Sequence, residues 1–153
     1  MKPGDIVEDF TLPDETGESR SLSDLLADGP VVLFFYPAAM TAGCTTESCH
    51  FRDLAAEFGE VGAQRVGISR DSVKSQAQFS AMHSFDYPLL SDTDGTVAEQ
   101  FRVDRKIGML PVKRATFVIG TDRKVLEVIK SELRMNTHAD KALEALRRVR
   151  AGD

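Results

Sequence analysis

Six consecutive residues, Val31-Val32-Leu33-Phe34-Phe35-Tyr36, form a wholly apolar run that stops at Pro37. A short β-branched, aliphatic and aromatic run with no polar alternation suits a strand covered on both faces. Such a strand needs helices above and below it, and the chain supplies them. Phe51, Leu54, Ala55 and Phe58 recur at i, i+3, i+4 and i+7. That spacing predicts one helix face over residues 44 to about 58. Residues 65–69 read as the next strand, with Asp71 or Ser72 capping a helix that runs to about His83. Pro88-Leu89-Leu90 predicts a short extended piece, and Asp92-Thr93-Asp94-Gly95 a turn before a short helix ending at Phe101.

Beyond a loop containing Gly108 and Pro111, residues 115–120 and 124–131 read as two strands joined by the turn Gly120-Thr121-Asp122-Arg123. Thr137 then caps a last helix carrying Leu143, Leu146 and Val149 at spacings of three. Phe10 and Leu12 predict an N-terminal edge strand, broken by Pro13 and Gly17. This order predicts an α/β sandwich: a mixed central β-sheet with an antiparallel end and helices on both faces. With 153 residues and no linker or repeat, the chain reads as a single domain over 1–153.

Charge is unevenly spread, with thirteen bases against six acids over residues 101–150 and an acidic excess before them. No basic cluster interleaved with aromatics accompanies this excess, so a solvated face is expected there and no nucleic acid. The longest apolar run falls far short of the roughly 20 residues that cross a bilayer. Met1-Lys2-Pro3-Gly4-Asp5 opens onto acidic residues rather than an apolar signal segment. Neither membrane insertion nor export is expected, which leaves a cytoplasmic protein.

The chain has two cysteines, Cys44 and Cys49. Two thiols do not make a secreted disulfide framework, and close together in a reducing compartment they point to chemistry. Cys44 falls where the buried strand gives way to the helix. The amides of a helix's first turn lack internal partners and the dipole there favours negative charge, so a thiolate is favoured over a thiol. Helical geometry sets Cys44 only about 20° from Phe51, on the apolar, sheltered side. Thr41, three residues earlier, offers a hydroxyl to an anion there, or an N-cap. Gly43 lets backbone approach closely, and Glu47 can accept first-turn amides, hold an arginine, or lie on the surface.

Pro37-x-x-x-Thr41-x-x-Cys44, preceded by Phe34-Phe35-Tyr36 and followed by Glu47, resembles the active-site signature of the peroxiredoxins. Cys49 is similar in position to the resolving cysteine of the Q-type subfamily, the bacterioferritin comigratory proteins. The resemblance extends through Phe51-Arg52-Asp53, the stretch 86–92 and Arg114-Ala115-Thr116-Phe117-Val118-Ile119. It implies a thioredoxin-like fold, reduction of peroxides by thiol chemistry, and no metal or organic cofactor. On that resemblance Cys44 is the peroxidatic cysteine and Thr41 the hydroxyl that contacts sulfur and peroxide. Pro37 shields the thiolate, Arg114 stands beside it, and thioredoxin or a similar dithiol is the reductant. Residue 42 departs from the family, with alanine where proline is usual, which loosens the local φ restraint.

Five residues of helix separate the cysteines by about 7.5 Å of rise and about 140° of rotation. A disulfide needs Cα atoms within roughly 7 Å and converging side chains. The two cannot join while the helix is intact, so its first turns are expected to unwind after oxidation. Resolution within one chain favours a monomer and leaves a dimer open. Three rivals are weaker. Zinc on Cys44, Cys49 and His50 lacks a second cysteine pair, and His83 and His138 are expected on helical surfaces. A disulfide oxidoreductase favours Cys-x-x-Cys. A non-enzymatic binding or holdase module has no need of both thiols.

Overall fold

The computed structural model describes residues 1–105 and 112–150. The expected loop containing Gly108 and Pro111 lies outside the described residues. The run that opened the sequence reading is strand β3, Val31–Phe35, with all five residues buried. The strands before it are β1, Thr11–Pro13, and β2, Ser19–Ser21. Those after it are β4, Gln64–Ser69; β5, Leu89–Ser91; β6, Ala115–Ile119; and β7, Val125–Lys130.

The central sheet runs β5-β4-β3-β6-β7, with β3 in the middle. β3 pairs parallel with β4 and antiparallel with β6; β4 and β5 are parallel, β6 and β7 antiparallel. This is the mixed sheet with an antiparallel end that the element order implies. Gly120 and Arg123 close the β6–β7 turn, with Arg123 N–H donating to the Gly120 carbonyl at 2.9 Å.

The pleat sends alternate residues of β3 into two separate cores. Val31, Leu33 and Phe35 pack with α1, Leu22–Leu26, and α5, Thr96–Gln100. Val32 and Phe34, with Tyr36 beyond the strand, face α2, Ala42–Asp53; α3, Ala55–Glu60; α4, Val73–His83; and α6, Thr137–Arg150. Helices therefore cover both faces. None of the described helices is long and apolar enough to cross a membrane.

Two expectations are corrected. The helix predicted over 44–58 is two helices, broken at Leu54 (φ −94°, ψ 21°). The Arg65 guanidinium donates to the carbonyls of Phe51 at 3.0 Å and Arg52 at 3.5 Å, taking up acceptors near the end of α2. Phe51 and Phe58 still stack across the break, centroids 5.9 Å apart, which is why the apolar spacing spans it. The N-terminal strand joins no edge of the central sheet. β1 pairs with β2 in a sheet of two strands, turned back by Asp14, which accepts Thr16 N–H at 2.8 Å, and by Gly17 at φ 86°. The five-residue α1, capped by Ser21, is too short to leave a periodic signal.

Phe34 stacks on Phe51 at 4.1 Å and 8°, joining the central strand to α2. Space for that ring comes from Gly67 on β4, where a Cβ would sit 2.8 Å from Leu89 Cδ2 and 3.1 Å from both Phe34 Cζ and Tyr36 Cε1. Gly67→Ala should overpack this core and cost about 1–3 kcal/mol in urea unfolding. Gly59→Ala, on the exposed side of α3 with nothing within 4 Å, should instead stabilise by about 0.5–1 kcal/mol. Equal midpoints for the two variants would contradict the packing described.

Candidate active site

Between β3 and α2 the chain makes a tight passage that its residues dictate. Pro37 is buried, and the following loop is held by Asp71. That carboxylate accepts the Ala39 N–H at 2.8 Å and the Ser69 hydroxyl at 2.6 Å. Met40 takes a left-handed conformation at φ 65°, which turns the chain into Thr41, the extended N-cap of α2. Ala42 is the first helical residue, a position where proline is readily accommodated and alanine keeps its N–H.

Cys44 is the third residue of α2 and is fully buried. It packs in the core that contains Phe34, Tyr36 and Phe51, so the expected apolar shelter exists. The first bond of the helix runs from Thr45 N–H to the Thr41 carbonyl at 2.9 Å. The amides of residues 42–44 precede it and orient their dipoles toward this end. Among the described residues one cation approaches: Arg114 Nη2 donates to Cys44 Sγ at 3.2 Å. Gly43 permits that approach, since a Cβ there would lie 3.3 Å from Arg114 Nη2 and 3.3 Å from Met135 Cε.

The other end of the guanidinium is equally committed. Arg114 Nη1 donates to Glu47 Oε1 at 2.7 Å, and Glu47 is fully buried rather than a surface residue. Burial pushes the Glu47 carboxyl up to about 8 against the pull of Arg114. Glu132 completes the surroundings by accepting the Arg114 N–H at 3.3 Å and Arg105 Nη2 at 2.7 Å.

Gly43, Cys44, Glu47 and Arg114 thus meet at one point, and Pro37 is buried where the chain leaves β3. Thr41 lies at the exposed mouth, with its hydroxyl donating to the Ala38 carbonyl at 2.8 Å. Cys49 is half-buried and both thiols are free, on an unbroken stretch of α2. His138 corrects an expectation. It is fully buried, not on a helical surface, with Nδ1 2.8 Å from Thr116 Oγ1 and Nε2 2.8 Å from the Ser131 carbonyl. Its spacing to the buried Ala142 and Ala145 on α6 was the legible sign. His83 is half-buried, between Phe79 and Phe85.

Residues 3–128 match the AhpC/TSA family. The chain belongs to that family. Its fold superposes on the crystal structure of peroxidoxin BcpB from Mycobacterium tuberculosis with a TM-score of 0.94, at 68% identity over 97% of this chain and 98% of that one. Peroxiredoxin Bcp of Escherichia coli strain K12 is 34% identical over 152 residues, 96% of each chain. A Xanthomonas campestris bacterioferritin comigratory protein, solved for its alkyl peroxide reduction activity, gives a TM-score of 0.83 at 34% identity, covering 92% of this chain and 91% of that one. The chain is a thioredoxin-fold peroxiredoxin and a thiol peroxidase. Peroxide substrates and a thioredoxin-type reductant come with that class.

Glu47 gives this peroxiredoxin an unusual acid–base signature. A carboxyl raised in the folded state holds its proton more tightly there than in the unfolded chain. The stability it lends is complete below about 4.5, declines as pH rises, and is gone above about 8. His138 is lowered by burial from 6.5, so its contribution grows as pH rises toward that value and is flat beyond it. Between pH 6.5 and 8 the Glu47 trend therefore stands alone of the two. Thermal unfolding of the reduced chain should show Tm falling across that window and a flatter profile for Glu47→Gln. Parallel profiles would contradict the buried carboxyl.

Proposed function

We propose that this peroxiredoxin reduces hydrogen peroxide and organic hydroperoxides with Cys44 as the peroxidatic cysteine and Cys49 as the resolving cysteine. The observation that carries the reading is the buried Arg114 guanidinium, bonded at once to Cys44 Sγ and Glu47. In the first step the Cys44 thiolate attacks one peroxide oxygen and the O–O bond breaks. An S–O bond forms as the O–O bond breaks, so the sulfur becomes a sulfenic acid, and the second oxygen leaves with the bonding pair and takes a proton to give water or an alcohol. Charge develops on that departing oxygen, where Arg114, the first-turn amides of α2 and the Thr41 hydroxyl stabilise it. The hydroxyl reaches this role by turning from the Ala38 carbonyl. Pro37 walls off the thiolate and Gly43 keeps the approach open.

In the second step the Cys49 thiol attacks the Cys44 sulfenic sulfur, forming an intramolecular disulfide and releasing water. α2 as folded keeps the two apart, so its first turns unwind between the steps. A thioredoxin-type dithiol then reduces the disulfide to two thiols and is itself oxidised. The reading extends to a single catalytic domain over 1–153, acting as a monomer in the cytoplasm, with no resident cofactor.

Four measurements test it. Treated with one equivalent of hydrogen peroxide, the chain should lose two hydrogens to a disulfide by mass spectrometry. Cys49→Ser should stop at a gain of one oxygen, and Cys44→Ser should not react. Sustained thioredoxin-supported cycling of Cys49→Ser would overturn the role given to that residue. Arg114→Met should slow stopped-flow oxidation of Cys44 by roughly 10²–10³-fold, the usual loss for one oxyanion-stabilising donor. Hydrogen exchange over residues 44–52 should rise on oxidation, and equal protection in the two redox states would count against unwinding.

A further inference from the structure

Beside the passage from β3 to α2 stands a carboxylate that the peroxide chemistry leaves unused. We propose that Asp71 is a positioning residue for peroxide reduction: by holding the peptide between Ala38 and Ala39 it fixes the Thr41 hydroxyl at the mouth of the site. The inference rests on the roles given above to Cys44 and Thr41. That one peptide is gripped at both ends. Its N–H donates to Asp71 Oδ2 at 2.8 Å, and its carbonyl accepts the Thr41 hydroxyl at 2.8 Å. An amide that donates to a carboxylate is polarised into a stronger acceptor at its own oxygen, so the first bond reinforces the second.

Residues 38–41 form a tight turn whose third member is strained. Met40 stands at φ 65° with its side chain exposed, so its own packing does little to hold it there. A left-handed residue other than glycine persists where its surroundings impose it. Among the described residues, the bond to Asp71 is the hydrogen bond that ties residues 38–40 to another element. On the far side the Thr41 carbonyl is fixed by the Thr45 N–H at 2.9 Å. Thr41 is thus set by α2 from one side and by Asp71, through the peptide, from the other.

Asp71 can act as an anchor because it is braced from behind. Ser69, at the end of β4, donates its hydroxyl to Asp71 Oδ2 at 2.6 Å and accepts the Asp71 N–H at 3.2 Å. Gln76 on α4 is fully buried; its amide donates to the Ser69 hydroxyl at 3.0 Å and to the Leu90 carbonyl at 2.9 Å. Its Oε1 accepts the Tyr36 hydroxyl at 2.6 Å, which brings the network back to the residue before Pro37. The Ser69 oxygen gives one hydrogen and accepts two, its full complement, and a network satisfied in this way is rigid.

Placement matters because charge appears on the departing oxygen only in the transition state. A hydroxyl oxygen already in place needs to turn only its hydrogen. Without Asp71 the peptide can rotate, Met40 can relax, and Thr41 Oγ1 leaves that place. The bonds from Arg114 to Glu47 and Cys44 do not involve Asp71 and stay as they are.

Asp71→Ala should slow stopped-flow oxidation of Cys44 by about 10–10²-fold, the cost of misplacing a group beside the reacting atoms. Asp71→Asn, whose amide oxygen can take the place of Oδ2 and accept both donors, should restore the rate to within about threefold of the parent chain. In a Thr41→Val background Asp71→Ala should cost less than about twofold, because a group that acts through the hydroxyl has no effect once it is gone. A generally distorted site would lose rate in either background. Parent-like oxidation of Asp71→Ala, an Asp71→Asn as slow as Asp71→Ala, or a loss undiminished in the Thr41→Val background would overturn the proposal.

A measurement on the unchanged chain covers variants that do not fold. The Ala39 amide should exchange with solvent at least about 10²-fold more slowly than in a free peptide, and exchange at the free-peptide rate would equally overturn the proposal. If instead the parent chain oxidises no faster than free cysteine, the peroxidase reading of the site fails and the positioning argument falls with it.

Discussion

A guanidinium held almost entirely out of water is the constraint around which this molecule is arranged. Arg114 has a side chain only 6% exposed, and stripping a cation of its hydration costs several kcal/mol unless partners replace the water. Glu47 answers at Nη1 and the Cys44 sulfur at Nη2. Two of the three groups are on one turn of α2, and the third enters from the start of β6. That helix can stand there only because β3 lies beneath it and Phe34 meets Phe51 face to face. The electrostatics of the site and the packing of the core are therefore one arrangement.

How the chain announces this arrangement depends on the range of the forces involved. The strand Val31–Phe35 was legible because burial on both faces forces an unbroken apolar run, a local pattern with few other causes. The β6–β7 turn was legible for the same reason, from the chemistry of Gly120 to Arg123. The break at Leu54 was not, since the group that takes the carbonyls is Arg65, on the neighbouring strand. Nor was the separate pairing of β1 with β2, which turns on where an edge finds its partner rather than on propensity.

The site divides along the same line. Cys44, Thr41, Pro37 and Gly43 sit in one short stretch whose spacing speaks for itself, and the family resemblance reached Arg114 across seventy residues. Glu47 could be named, but its burial could not, because that follows from Arg114 arriving through the sheet. His138 went the other way. A histidine early in a charged helix looks like a surface residue until Ala142 and Ala145 are seen to share its face.

The far half of α2 is tied down independently of the sulfur. Tyr87 donates its hydroxyl to the Ser48 carbonyl at 2.7 Å, and Arg65 grips Phe51 while forming a two-point ion pair with Asp86 at 2.8 Å. None of these bonds involves Cys44, whereas Arg114 donates directly to its sulfur. Cys49 lies inside the tethered half and Cys44 outside it. The helix is thus a latch at Cys44, held by Arg114, and a hinge beyond it, held by Tyr87 and Arg65.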